Sequence, residues 1–198
     1  PEIANNKKYH HGDSLEIFKK YWANTAEERR QKLMPFFWST IQSKGQIHGN
    51  RDKGSMMNVS NPYWFSYPGY SELTTGQVDT AVNSNDYKPN PNTNFFEYLN
   101  TLPTYKGKVV AFGAWGAFDR ILNENRSGFP VINAFDEYVS IGKDTNAQLL
   151  TNMVKDTHRP FGTSEVLDVF MHYQIMHYLK KEKPLHWLVH LAQVKVLW

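Results

Sequence analysis

The sequence predicts an α/β fold with a largely parallel sheet and flanking helices. Three short apolar runs, "KGKVVAFGAW", "FPVINAF" and "LHWLVHLAQVKVLW", are typical of buried strands. Segments with helical spacing of apolar residues lie before and between these runs, and such alternation favours parallel strands. A chain of 198 residues can bury one core, so we expect a single domain over residues 1–198.

The N-terminal part of the chain predicts a loop followed by a helix. Residues 1–14 are polar and aperiodic, which indicates an arm or loop. Thr25 and Glu28 have the spacing of a capping box, so we expect a helix from there to Ser43, with a broad apolar face. Pro35 should bend or restart this helix.

The remaining elements follow in order along the chain. Residues 46–91 are dense in Gly, Pro, Asn and Ser and predict a long loop region, with regular structure only in short pieces. Helices are expected in "NTNFFEYLNTLP", which stops at Pro103, in "WGAFDRILNENRSG" and in "DTNAQLLTNMVKDTH". A further helix, in "TSEVLDVFMHYQIMHYLKKEKP", should open at Thr163 or Ser164 and finish before Pro184.

Composition excludes several classes of function. The chain has no cysteine, so disulfides, thiolate catalysis and cysteine-bound zinc are excluded. Its net charge is only +3 with both signs interspersed, which gives no indication of a nucleic-acid partner. No apolar run reaches the roughly 18–20 residues of a membrane span.

The segment "NPYWFSYPGYSELTTG", residues 61–76, is the candidate functional site. Proline biases Tyr67 toward an extended backbone and Gly69 permits a sharp turn, so we expect a strand that enters a helix through a tight corner. Ser66 lies just before that corner. Its hydroxyl could then face an anion held by the N–H groups of the helix start, although a serine in this setting can also simply cap a helix.

Several segments of the chain resemble the alkaline phosphatase superfamily, in particular its type I phosphodiesterase and sulfatase-like branches. The order hydroxyl, aromatic, proline and then Thr-Gly is similar to the nucleophile segment of that family. The resemblance extends over "LMPFFWSTIQSKGQIHGNR", "NSNDYKPNPN", "KGKVVAFGAW", "NENRSGFPV" and "DVFMHYQIMHYLKKEKP", about Leu33 to Pro184. It implies a fragment of an α/β/α sandwich, with secretion or periplasmic export.

The resemblance also implies the chemistry of the site. Ser66 matches the serine or threonine nucleophile, whose oxygen binds one of two divalent metal ions, commonly zinc. Gly69 stands where related phosphodiesterases place an asparagine that holds a phosphoryl oxygen, and Ser71 lies nearby. The substrate would be a small phosphate or sulfate ester.

Parts of the family's metal site are expected to lie outside this chain. Its first metal-binding aspartate lies on an earlier strand, and its later Asp and His ligands follow a strand that would begin near Leu185. Residues 185–198 contain no Asp-His-Gly segment. The codons TTA-CAT-TGG, which encode Leu185–Trp187, give Tyr-Ile-Gly when read one nucleotide later, so our hypothesis is that residues 185–198 are a partly out-of-frame tail. Exposed sheet edges would then favour self-association.

Alternatives stay open at the level of the sequence. Asp168 and His172 share a helix face and could bind metal, but a surface pair is the simpler interpretation. Among the aromatic residues of the segment, Trp64 and Tyr67 are the candidates for a cleft wall that contacts substrate. We expect an ester hydrolase fragment with little or no activity by itself. The alternatives are a non-catalytic anion- or glycan-binding or interaction domain, and an unrelated carbohydrate or nucleic-acid binder.

Overall fold

A computed structural model describes residues 14–133, 144–157, 168–181 and 187–191 of the chain. The chain divides into two compact units, 1–58 and 59–198, where the sequence predicted one domain. Of the expected polar arm, only Ser14 lies among the described residues, and it begins a helix. No helix in these ranges is long and apolar enough to cross a membrane.

The first unit is built from short helical segments. They are α1 (Ser14–Tyr21), α2 (Ala26–Leu33), a π-helical turn (Phe37–Ile41), α3 (Gln42–Lys44) and a 3₁₀ turn (Arg51–Lys53). Thr25 caps α2, because its hydroxyl accepts from the N–H of Glu28 while the Glu28 carboxylate accepts from the N–H of Thr25, each at 3.2 Å. The predicted capping box is confirmed.

The predicted helix down to Ser43 is broken where Pro35 occurs. Met34 has φ −139° and ψ 72°, outside the helical region, and the helical backbone resumes after it. Proline disfavours a helical conformation in the preceding residue, which explains the break. The expected apolar face is not buried within this unit, since Leu33, Phe36 and Ile41 are exposed.

The second unit contains helices on either side of a small sheet. Its elements are α4 (Ser66–Thr75), α5 (Phe95–Thr101), β1 (Val109–Gly113), α6 (Phe118–Ile121), α7 (Glu124–Ser127), β2 (Val131–Asn133), α8 (Thr145–Asp156), α9 (Asp168–Lys181) and β3 (Trp187–Leu191). The helices predicted in "NTNFFEYLNTLP" and "DTNAQLLTNMVKDTH" are confirmed as α5 and α8. The expected start of α9 at Thr163 or Ser164 lies outside the described residues.

The sheet has the strand order β2-β1-β3, and both pairs are parallel. Ala111 pairs with Val131 in β2 and with Val189 in β3. All five residues of β1 are buried, as expected for a central parallel strand. The α/β class with flanking helices is therefore correct, and residues 187–191 of the expected out-of-frame tail form a strand of the sheet.

Side chains of β1 alternate between two apolar clusters. Val109 and Ala111 belong to a cluster with Tyr67, Phe118 and other residues of the preceding and following helices. Val110 and Phe112 belong to a second cluster, which contains residues of α8 and α9. Successive residues of a strand point to opposite faces, so helices pack on both faces of β1.

The predicted helix over "WGAFDRILNENRSG" is two short helices, α6 and α7. Asn123 lies between them with φ +49°, a left-handed conformation that ends α6. Its side chain accepts from the N–H of Arg126 and so begins α7. Asparagine tolerates this conformation better than most residues, which explains why the chain turns there.

Candidate functional site

Ser66 is the first residue of α4. The preceding residue, Phe65, has an extended backbone with φ −121° and ψ 149°, so the chain changes from extended to helical at the serine. Ser66 is half-buried, and its hydroxyl forms no hydrogen bond with another described residue. The hydroxyl is therefore available for a ligand or for reaction.

The sequence of α4 accounts for both its ends and its buried face. Gly76 adopts φ +74° after the last turn, and its N–H donates to the carbonyl oxygen of Glu72 at 2.9 Å, which ends the helix. The buried residues are Tyr67, Pro68, Ser71 and Thr74, which recur at helical spacing. Ser66 lies off this buried face.

The helix α4 packs on the segment that leaves the carboxyl end of β1. The ring of Tyr70 lies 4.9 Å from the ring of Phe118, centroid to centroid. Phe118 in turn lies against Gly113, the last residue of β1. In open parallel sheets, ligand sites form at the carboxyl ends of strands, so Ser66 belongs to a helix near the edge where such a site is expected.

The start of α4 offers fewer anion-binding donors than the sequence suggested. The N–H of Tyr67 donates to Oδ1 of Asn85 at 2.9 Å, and Pro68 has no N–H. Gly69 donates to the carbonyl oxygen of Phe65 at 3.3 Å. Among the described residues, the N–H of Ser66 is therefore the one in this turn without an acceptor.

Tyr67 lies in the core and not on a cleft wall. Its side chain is 0% exposed, and its hydroxyl donates to the carbonyl oxygens of Lys88 and Arg120, each at 2.9 Å. Burial raises the pKa of Tyr67, although the positive charge of Arg120 acts in the opposite direction. The expected contact of Tyr67 with a substrate is corrected, since the helical backbone turns this ring inward.

Ser71 is also unsuited to contact a substrate. It is buried, and its Oγ accepts from Nδ2 of the buried Asn90 at 2.8 Å. Ser71 lies on the same inward face of α4 as Tyr67 because the two are four residues apart. Its hydroxyl joins α4 to the loop that contains Asn90, and the prediction of a substrate-binding role is corrected.

Gly69 and Trp64 remain accessible near Ser66. Gly69 lies inside the first turn of α4, so the expected corner is at Ser66. A methyl group on Gly69 would have no described atom within 4 Å. Trp64 is 75% exposed and Phe65 is 51% exposed. Two large rings therefore stand at the surface directly before the serine.

Glu72 binds the backbone a few residues before Ser66, and the sequence did not identify it as part of the site. Its carboxylate accepts from the N–H groups of Ser60 and Asn61 and from Nδ2 of Asn61, at 2.8–3.0 Å. Partial burial raises the pKa of Glu72, but these hydrogen bonds outweigh it, and the pKa is lowered from the ordinary value. No local pattern signals this contact, which spans more than ten residues.

The described residues do not fit a two-metal centre. They contain no group of three or more His, Asp or Glu side chains that could hold a metal ion. Asp168 and His172 are both exposed on α9, as the surface interpretation expected. The sequence did not reveal a second pair, in which Nε2 of His177 lies 3.2 Å from Oδ2 of Asp144. This contact links α9 to the start of α8.

Comparison with protein-family models, with curated proteins and with solved structures found no match to this chain.

Proposed function

We propose that this chain carries the serine nucleophile of a phosphate or sulfate ester hydrolase, and that the nucleophile is Ser66. One observation carries the proposal. The Ser66 hydroxyl begins a ten-residue helix, forms no hydrogen bond with another described residue, and belongs to a helix packed near the carboxyl end of β1. The resemblance of residues 61–76 to a nucleophile segment supplies the reaction class.

The reaction would proceed in two steps. In the first, the Ser66 hydroxyl loses its proton as its oxygen forms a bond to the phosphorus or sulfur atom, the bond to the ester oxygen breaks, and the leaving alkoxide takes up one proton to become the alcohol. In the second, water attacks the serine ester, which releases phosphate or sulfate and returns the serine hydroxyl. The N–H of Ser66, which has no acceptor in the described part of the chain, can donate to one oxygen of the ester group.

The two divalent ions implied by the resemblance, commonly zinc, have no assigned ligands among the described residues besides the Ser66 oxygen. We also propose that the three-stranded sheet belongs to a wider α/β/α sandwich, since helices pack on both faces of β1. Steady turnover by the 198-residue chain is expected to be slow or absent.

The proposal is tested by looking for a covalent intermediate on Ser66. The chain is incubated with nitrophenyl phosphate or nitrophenyl sulfate, with and without added Zn²⁺, then quenched and digested for peptide mass spectrometry. We expect a phosphoryl or sulfuryl group on Ser66, with little release of nitrophenol over time. Ser66→Ala should remove the modification completely.

Ser84→Ala is the matched control, because Ser84 is half-buried and makes no hydrogen bond in the described part of the chain. This variant should be modified at Ser66 as the parent chain is. Absence of any modification at Ser66 under all conditions would contradict the nucleophile assignment. Rapid, Ser66-dependent turnover would show instead that the chain is a complete catalyst.

The exposed rings beside Ser66 favour a second candidate function, a non-catalytic anion- or glycan-binding or interaction domain. Three large apolar side chains are exposed here: Trp64 and Phe65, which directly precede α4, and Leu73, which lies on the exposed face of α4. Exposed tryptophan rings stack on the apolar faces of sugars. Binding of a neutral oligosaccharide that is lost in Trp64→Ala and unchanged in Ser66→Ala would favour this function over hydrolysis.

Self-association through sheet edges is a further proposal for this chain. Within the described residues, β2 and β3 each pair with β1 alone. An unpaired strand edge can bind a strand of another molecule. Light scattering at increasing protein concentration tests the proposal, and a mass that stays that of the monomer would contradict it.

A further inference from the structure

Asn85 caps the start of α4 from a distant part of the chain. Its side-chain oxygen accepts the N–H of Tyr67 at 2.9 Å, across eighteen residues of sequence. The residue before the helix, Phe65, provides no side-chain acceptor. Of the two polar atoms of the Asn85 side chain, only the oxygen can accept a hydrogen bond, so this bond also fixes the orientation of the amide.

The loop that contains Asn85 is itself held in place. Arg120 donates from Nη1 to the carbonyl oxygen of Tyr87 at 2.7 Å and from Nη2 to that of Asn85 at 3.4 Å. The hydroxyl of Tyr67 donates to the carbonyl oxygens of Lys88 and Arg120. Tyr67 is therefore fixed at its backbone by Asn85 and at its phenol by the loop and α6.

This fixation reaches Ser66 through a covalent bond. The nitrogen of Tyr67 is bonded to the carbonyl carbon of Ser66, and the peptide unit between them is planar. Pro68 has no N–H to be capped, so the bond to Asn85 is the side-chain cap of the first turn. Without that cap, the first turn should fray, and Ser66 is the residue at its end.

We propose that Asn85 is the positioning residue for Ser66, which holds the first turn of α4 so that the hydroxyl keeps a fixed direction at the helix start. The inference rests on the proposed role of Ser66. Asn85 acts through the N–H of Tyr67 and needs no contact with a substrate. A purely supportive role in the loop would instead affect global stability and leave the environment of residue 66 unchanged.

A thiol reporter tests the inference without any ester hydrolysis. The chain has no cysteine, so Ser66→Cys introduces a single thiol. The pH dependence of its alkylation by iodoacetamide gives the pKa of that thiol, which a well-formed helix start lowers below the ordinary value of about 8.5. The measurement is repeated with Asn85→Ala, Asn85→Asp and Asn83→Ala added, together with hydrogen exchange of the Tyr67 amide.

Asn85→Ala should move the alkylation midpoint up by roughly one pH unit, toward the ordinary thiol value, and should speed exchange of the Tyr67 amide. Asn85→Asp keeps an acceptor, so it should preserve amide protection while its negative charge raises the thiol pKa. Asn83→Ala, an exposed position in the same loop, should change neither quantity.

An unchanged midpoint and unchanged amide protection in Asn85→Ala would overturn the inference. If Asn85→Ala does not fold, the Asn85→Asp variant tests the inference instead. A thiol pKa in Ser66→Cys with Asn85→Asp that equals the thiol pKa in Ser66→Cys alone would also overturn the inference. Failure to detect a covalent serine intermediate contradicts the hydrolase proposal and leaves these thiol and exchange measurements unaffected. The two proposals are thus tested separately.

Discussion

Arg126 and Glu97 form a bidentate ion pair, in which Nε of Arg126 donates to Oε1 of Glu97 at 2.8 Å and Nη2 donates to Oε2 at 2.9 Å. The same guanidinium also donates to the carbonyl oxygens of residues 90–92, at 2.8–2.9 Å. The hydrogen bonds to Glu97 raise the pKa of Arg126, so the pair stays charged. One side chain thus joins α5, α7 and the loop before α5.

Arg126→Lys should lower the free energy of unfolding by about 1–2 kcal/mol, because an ammonium group cannot reproduce the planar fork or bond all three carbonyl oxygens. Urea unfolding followed by tryptophan fluorescence measures this change. Arg30→Lys is the control, since Arg30 pairs with Glu27 at 3.8 Å on the surface. An equal loss in both variants would contradict the argument, because exposed pairs contribute little.

Glu72 should make the stability of the chain depend on pH in the acid range. Its pKa is lowered in the folded protein, so its contribution is present above the unfolded value of about 4.3 and is lost as pH falls through the folded value. Glu72→Gln should therefore destabilise the protein near neutral pH by about 1 kcal/mol and show a smaller further loss between about pH 5 and 3.

The measurement for Glu72 is urea unfolding at a series of pH values. Asp86→Asn serves as the control, because Asp86 is exposed and forms no hydrogen bond in the described ranges. The control should follow the parent chain across the whole series. Parallel curves for Glu72→Gln and the parent would contradict the assigned role of Glu72.

The elements predicted correctly are those whose signals are local. The capping box of Thr25 and Glu28 and the apolar run of β1 can both be recognised within a few residues. The candidate site was less predictable. Pro68 predicted an extended backbone at Tyr67, but Tyr67 is helical. A proline in the first turn of a helix removes no helical hydrogen bond, because the N–H at that position has no partner within the helix. The helical backbone also buries the ring of Tyr67 completely, which is favourable.

The remaining features of the site depend on contacts between distant residues. Asn85 meets Tyr67 from eighteen residues away, and Asn90 meets Ser71 from nineteen. Both asparagines lie in a segment whose composition indicates only turns, so no periodic pattern marks which side chains point inward. The sequence therefore predicted that Ser66 lies next to the start of a helix, but it did not predict which side chains stabilise that helix start.

Tyr67→Phe should destabilise the protein by about 1–2 kcal/mol, because two partly buried carbonyl oxygens, those of Lys88 and Arg120, lose their donor. The pKa of Tyr67 is raised by burial, so ionisation of this phenol in the unfolded chain lowers stability above about pH 10. The variant should lose less stability than the parent between about pH 9 and 11. Tyr98→Phe, at an exposed position, should match the parent in both respects.

Two glycine-to-alanine substitutions should act in opposite directions. A methyl group on Gly113 would lie 2.9 Å from Cγ of Phe118 at the carboxyl end of β1, so Gly113→Ala should destabilise by about 1–3 kcal/mol. Gly69 lies inside α4, and no atom of the part of the chain that the structure describes lies within 4 Å of an added methyl group, so Gly69→Ala should stabilise by about 0.5–1 kcal/mol. Thermal unfolding of both variants measures the difference, and a destabilised Gly69→Ala would contradict the helical placement of the residue beside Ser66.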